Sequence, residues 1–161
     1  MKRGDIIEIW TDGACKGNPG PGGWAAVISA HGGDEEVMVS GRKDITTNNE
    51  MEMVAVLNAL AKAREGSIIR INTDSKLVIG WLAKGWKAKS NWIIPDLIEA
   101  ITTLRDNKGL TVYLKRVKGH SGVPGNEKAD KRASLEAALA LQERQNWIKQ
   151  GSPGGVPVKS A

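Results

Sequence analysis

Four acidic residues stand where a folded chain of this kind can bring them to one place. Asp12 ends the strand-like run Ile6–Thr11, and Asp74 ends a second such run, Ser67–Thr73. Glu52 lies about one turn into a helical segment, and Asp130 lies about one turn into another that follows the loop Gly119–Gly125. In an open α/β sheet, functional groups gather outside the carboxyl ends of the strands, so Asp12 and Asp74 meet there if their strands are neighbours. Carboxylates crowded together raise one another's pKa and stay ionised cheaply only with cations among them. Oxygen-only donors suit Mg²⁺ or Mn²⁺, whereas zinc would want His and Cys at close spacing. Two such ions, ~3.5–4 Å apart, stabilise the attacking and leaving oxygens of an in-line phosphoryl displacement. Taken singly, each acid has an ordinary structural reading: a turn residue before glycine, or a helix cap before Ser75. The combination carries the chemistry.

These residues need a frame. Ile6–Thr11 reads as a strand, and the glycine- and proline-dense stretch Asp12–Gly23 reads as a loop. Trp24–Ala30 and Asp34–Ser40 read as two further strands, with His31-Gly-Gly as the turn between them. Thr47-Asn-Asn-Glu50 has the spacing of a capping box, followed by apolar residues at helical spacing to about Arg64. A strand over Ser67–Thr73 comes next. Asp74-Ser75 then caps a short helix over Lys76–Ala83, and another helix runs from about Pro95 to Asn107. Thr111–Val117 is the fifth strand, and Asn126 is expected to cap a last helix that reaches Ala140 or runs on to Gln150. Three strands on short turns make an antiparallel meander, and strands separated by helices pair in parallel. The expected fold is an α/β domain with a mixed five-stranded sheet and helices on both faces. It occupies residues 1–140, and a disordered tail follows over 151–161.

The 161 residues suit one domain, with 40% hydrophobic and 25% charged residues, an ordinary globular balance. No apolar run approaches the ~18–20 residues of a bilayer span. The start leads straight into a strand, so no signal peptide is expected. One cysteine, Cys15, cannot form an internal bridge and fits a reducing cytoplasm. It is read as a small loop residue, because no base is identifiable beside it. The net charge of +5 permits nucleic-acid binding without demonstrating it. Six Trp, one Tyr and no Phe is an unusual aromatic set; Trp81, Trp86 and Trp92 interleave with Lys84, Lys87 and Lys89. Trp81 and Trp92 read as anchors on the core and Trp86 as a stacking face among phosphate-seeking charges. Gly20-Pro-Gly-Gly-Trp-Ala25 formally matches a dinucleotide fingerprint. That motif must open a helix, and here a strand follows.

The segment Thr11-Asp-Gly-Ala-Cys-Lys-Gly-Asn18 through Trp24 resembles the opening signature of the type 1 ribonuclease H family, bacterial ribonuclease HI-like. Thr46-Thr-Asn-Asn-Glu-Met-Glu52 resembles its second motif and Thr73-Asp74-Ser75 its third. Val117-Lys-Gly-His120 through Asn126 to Asp130 resembles its fourth, and the order and spacing match over residues 5 to about 138. The resemblance implies the ribonuclease H-like fold and endonucleolytic hydrolysis of the RNA strand of RNA–DNA hybrids, giving 5′-phosphate and 3′-hydroxyl ends. It implies that Asp12, Glu52, Asp74 and Asp130 hold two Mg²⁺ ions, with Mn²⁺ as a substitute. His120, in a loop, would assist proton transfer or product departure. Gly13, Cys15, Asn18, Asn48 and Ser75 would bind substrate, the 12–18 loop amides with the Asn18 and Asn48 side chains reaching the 2′-hydroxyls that mark the RNA strand. Thr47 would meet a DNA-strand phosphate, and Trp86 with Lys84, Lys87 and Lys89 would meet the DNA backbone. The expected partner is the hybrid duplex alone, without membrane or obligate protein, for a monomer with little sequence preference.

The chain departs from that pattern in places. Only about nine residues separate Asp74 from Lys84, so a longer basic handle is missing. Ile45 occupies a position that is often basic. Lys131 and Arg132 follow Asp130 where an acid and an apolar residue are common; they would offset charge near the metals or reach the substrate backbone. Residues 141–150, with Trp147 and Ile148, are expected to continue the helix and pack back. The competing reading is a non-catalytic hybrid-binding module of the same fold, which would normally have lost a carboxylate, and none is lost here. A third is a related DNA nuclease or resolvase with the same carboxylate layout.

Overall fold

The computed structural model describes residues 6–29, 36–88, 93–119 and 122–151. Five strands and four helices follow in the order β1 (Ile6–Cys15), β2 (Gly20–Ser29), β3 (Glu36–Thr46), α1 (Asn48–Lys62), β4 (Ile68–Thr73), α2 (Lys76–Ala83), α3 (Ile93–Asn107), β5 (Thr111–Arg116) and α4 (Pro124–Lys149). The sheet order is β3-β2-β1-β4-β5. β2 is antiparallel to both β1 and β3, while β4 is parallel to β1 and to β5. The mixed sheet and helix-bearing connections are those expected from the element order.

One face of the sheet is covered by α1, with α2 beside β4 and β5 and α3 packed on α1. Ile7, Ile9, Ile69 and Ile71 alternate inward from β1 and β4 and meet Met53, Val56, Leu60, Ile94 and Ile101. Burying each such side chain stabilises the fold by ~1.5–3 kcal/mol. The other face carries α4, which crosses β1, β2 and β3. Its buried stripe is small, Ala129, Ala133, Ala137 and Ala140. Gly23 of β2 lies beneath it: a Cβ there would stand 2.4 Å from Glu136 Cβ and 2.5 Å from the Ala137 amide. No other residue permits that approach.

Several boundaries differ from the sequence expectations. Asp12–Cys15 and Gly20–Gly23, expected in one long loop, are strand: Asp12 pairs with Ala25, and Cys15 pairs with Gly22. The loop shrinks to residues 16–19. Glycine and proline normally weaken strands, but Gly13 and Gly22 lie against α1 and Gly23 against α4, where a missing side chain is what packing requires. β3 runs six residues past Ser40, with an irregularity opposite Gly20 and Gly22. Only half of the expected capping box forms. Thr47 Oγ1 accepts from the Glu50 amide at 3.1 Å, but the Glu50 carboxylate turns to Lys43 Nζ at 2.6 Å. Asn126 does not cap α4. The helix begins at Pro124, with Val123 as the cap residue, and Asn126 is buried inside it. The expected turn at His31 lies outside the described residues.

Candidate active site

Parallel pairing of β1 with β4 sets the site's floor. Trp10 pairs with Asn72, so two residues further on both chains deliver Asp12 and Asp74 to the same sheet edge. α1 brings Glu52 over β1. Gly13 makes this possible, because a Cβ on it would lie 2.6 Å from the Glu52 amide. Asp74 is held between two side-chain turns: Thr73 Oγ1 accepts from the Ser75 amide at 3.1 Å, and Ser75 Oγ accepts from the Val78 amide at 3.2 Å. One carboxylate oxygen from each of Asp12, Glu52 and Asp74 lies within 4.8 Å of the others. Asp130, arriving on α4, stands close enough to Asp12 to raise its pKa.

Burial makes this crowding costly. Asp12 is 8% exposed and Glu52 is 7% exposed. Burial, the negative charge of Asp74 and the contact with Asp130 push the Asp12 carboxyl up to about 7; hydrogen bonds with Glu52 and the Gly13 amide act the other way. Burial, and then the charge of Asp12, push Glu52 well above the usual carboxylate range. Near neutral pH, with no cation present, the cluster therefore retains a proton. Glu52 Oε2 is buried and has no hydrogen-bond partner among the described residues. A buried acceptor of this kind is expensive unless something outside the protein satisfies it. An all-oxygen donor set with an orphaned, inward oxygen fits a hard divalent cation.

The surrounding residues fall into two groups. On one side, Cys15 Sγ donates to the Thr46 carbonyl at 3.3 Å, tying β1 to the end of β3. Burial pushes this thiol's pKa up, which disfavours the nucleophilic thiolate. Asn18 Oδ1 accepts from the Asn48 amide at 3.1 Å, joining the 16–19 loop to the start of α1 beside the cap residue Thr47. On the other side, the Trp86 ring lies on α2, with Lys84 Nζ 5.5 Å from its centroid. Lys87 extends this basic, aromatic stretch and is exposed. Lys89 and Trp92 lie outside the described residues, as does His120. The preceding Gly119 stands beside the cluster, where a Cβ would be 3.0 Å from Asp74 Oδ2.

Two readings of the basic residues need correction. Arg132 does not turn towards the carboxylates; its Nε donates to Ser40 Oγ at 2.8 Å, on the face of the sheet that α4 covers. The helix does continue past residue 140, and Arg144 donates to Asp44 Oδ1 at 2.7 Å, but Trp147 and Ile148 stay exposed rather than packing back. Three features escaped the sequence reading. Gly80 lies beneath Trp86, where a Cβ would be 1.9 Å from the ring; a glycine inside the helical run Leu77–Leu82 is the signal that marks it. Glu136 is buried among the alanines of α4, an acid within an otherwise apolar stripe. Lys43 and Glu50 form an ion pair beside the start of α1.

The model of the RNase H family matches residues 4–138. Among curated proteins, a Ribonuclease H of Albidiferax ferrireducens is 40% identical over 150 residues, covering 87% of this chain and 99% of that protein. A Ribonuclease H of Novosphingobium aromaticivorans is 43% identical over 145 residues, covering 83% and 97%. The fold is shared with the N-terminal RNase H domain of a Mycobacterium tuberculosis protein, at TM-score 0.76 and 24% identity over 86% of this chain and 98% of that one. It is shared as well with LC11-RNase H1, solved in complex with an RNA/DNA hybrid, at TM-score 0.72 and 24% identity over 84% and 99%. The chain belongs to the ribonuclease H family, a class of endonucleolytic hydrolases.

Proposed function

We propose that this protein cleaves the RNA strand of RNA–DNA hybrids, using Asp12, Glu52, Asp74 and Asp130 to hold two Mg²⁺ ions and leaving 5′-phosphate and 3′-hydroxyl ends. The observation that carries this reading is the buried meeting of three carboxylates with an unpartnered Glu52 oxygen and Asp130 alongside. When bound, two divalent ions would supply Lewis acidity to the attacking and leaving oxygens of an in-line displacement. The chain's own groups do the rest. Glu52 and Asp12, buried under α1, would hold the ions with their deprotonated carboxylates. Asp74, fixed by the Thr73 and Ser75 turns, keeps its orientation without reorganising. His120, next to Gly119 in sequence, serves proton transfer or product departure.

Substrate choice follows from sugar and shape rather than base sequence. The minor groove of an RNA-containing duplex is wide and shallow and displays 2′-hydroxyls. The backbone of Gly13 and Cys15, the side chains of Asn18 and Asn48, and Ser75 line the RNA strand. Thr47 receives a DNA phosphate, and Trp86 with Lys84, Lys87 and Lys89 tracks the DNA sugar–phosphate chain. The catalytic domain is residues 1–140 and acts as a monomer in the reducing cytoplasm. Among the described residues, no helix is long and apolar enough to cross a membrane.

The test is incubation with Mg²⁺ and end-labelled hybrid, duplex DNA or duplex RNA. Cleavage confined to the RNA strand of the hybrid supports the reading. Binding without cleavage supports a non-catalytic module, and equal cutting of duplex DNA supports a DNA nuclease.

A further inference from the structure

Asp12, Glu52 and Asp74 belong to β1, α1 and the end of β4, which share one packed core. Asp130 does not. It rides on α4, which lies on alanines across the opposite face, with Gly125 close over Trp10 and Gly23 close under Ala133 and Ala137. A polar ring adds a directional hold to that packing. Glu136 is 3% exposed and accepts from Ser40 Oγ at 2.6 Å and from Arg42 Nη1 at 2.7 Å. Arg132, one turn earlier, donates its Nε to the same Ser40 Oγ at 2.8 Å and reaches Glu136 Oε2 at 3.4 Å. The ring is closed: α4 supplies Glu136 and Arg132, and edge strand β3 supplies Ser40 and Arg42. Directly beneath, Gly23 lets Glu136 Cβ and the backbone of Ala133 and Ala137 approach β2. Glu136 lies six residues beyond Asp130, about 9 Å along the helix axis.

We infer that Glu136 is a positioning residue: by locking α4 to β3 through Ser40, Arg42 and Arg132, it sets where Asp130 stands beside Asp12. This rests on the role assigned to Asp130 under the proposed function. Buried charges rarely add net stability over well-packed apolar groups, and their best-attested use is to fix register. The geometry suits that use. Arg42 and Arg132 are 38% and 42% exposed, so both can return to water if Glu136 is replaced, and an apolar side chain of similar length can fill its place.

The experiment compares wild type, Glu136→Met, Asp130→Asn and the double variant by calorimetric Mg²⁺ titration, thermal unfolding, and kcat and KM on the hybrid. Glu136→Met is expected to keep cooperative unfolding yet lose about tenfold in Mg²⁺ affinity and in kcat, the scale typical of residues that orient metal ligands, with KM unchanged. In the Asp130→Asn background the added substitution is expected to change neither quantity further. Wild-type Mg²⁺ affinity and kcat in Glu136→Met would overturn the inference, and so would an equal loss with and without Asp130. If Glu136→Met does not fold, Glu136→Gln is measured in the same way. A smaller shift in the same direction supports the inference, and none overturns it. A wild type that binds Mg²⁺ but cuts no hybrid refutes the functional reading instead, and the Mg²⁺ titrations still decide the role of Glu136.

Discussion

Replacing Asp12 by Asn should stabilise the metal-free protein, and the gain should grow with pH. The Asp12 carboxyl is raised from 3.8 to about 7 in the fold, first by burial and then by its acidic neighbours. A group whose folded pKa is raised contributes stability that is fully present below the unfolded value and is lost as pH rises through the folded one. At ~1.36 kcal/mol per pH unit, the loss from Asp12 is about 4 kcal/mol once pH passes about 7. Between pH 5.5 and about 7 alone it is about 2 kcal/mol. Asn is nearly isosteric and uncharged, so the variant escapes this loss. It also lowers the pKa of Glu52, which Asp12 raises, a change in the same direction. Urea unfolding of both proteins in chelator, at pH 5.5 and pH 8, isolates the effect of the carboxylate cluster, because titrations away from it cancel in the difference. The variant's advantage should widen by about 2 kcal/mol from pH 5.5 to pH 8. Added Mg²⁺ at pH 8 should then raise the wild-type midpoint more than the variant's. A difference that stays flat with pH, or narrows, would refute the claim that burial and crowding dominate this site.

Three further outcomes follow. Gly13→Ala puts a methyl group 2.6 Å from the Glu52 amide; it should cost ~1–3 kcal/mol of stability by overpacking and lower kcat by displacing α1, read by denaturation and steady-state kinetics. Gly80→Ala drives a methyl group into the Trp86 ring; KM for the hybrid should rise while kcat holds, and Trp86→Ala should do the same. Thr47→Ala removes the α1 N-cap bond and should cost ~1 kcal/mol, visible as a lower unfolding midpoint.

The carboxylates were legible because their positions obey a rule of sheets. Asp12 and Asp74 close apolar runs, and parallel neighbours present their ends at one edge. The helical spacing after Thr47 likewise places Glu52 at the start of α1. Legibility failed where tertiary packing reversed a local preference. Gly20–Gly23 reads as loop by composition, yet Gly22 and Gly23 pair with β1, Gly22 beneath Met51 of α1 and Gly23 beneath α4. Asn126 has a capping residue's chemistry, but Pro124 starts the helix and buries it. Arg132 looked available to substrate because its partner Ser40 becomes a neighbour only when α4 folds onto β3. Ninety-two residues separate Arg132 from Ser40, and no local pattern announces such a pair.

The most direct measurement is single-turnover cleavage of a hybrid labelled on each strand, by wild type and Asp74→Asn, with Mg²⁺ and then with chelator. The account predicts RNA-strand cuts by wild type with Mg²⁺ alone. It predicts a loss of more than about a hundredfold in the variant, equivalent to ~2.7 kcal/mol of transition-state stabilisation, with hybrid affinity retained. Full activity in the variant, or undiminished cleavage after chelation, would contradict it.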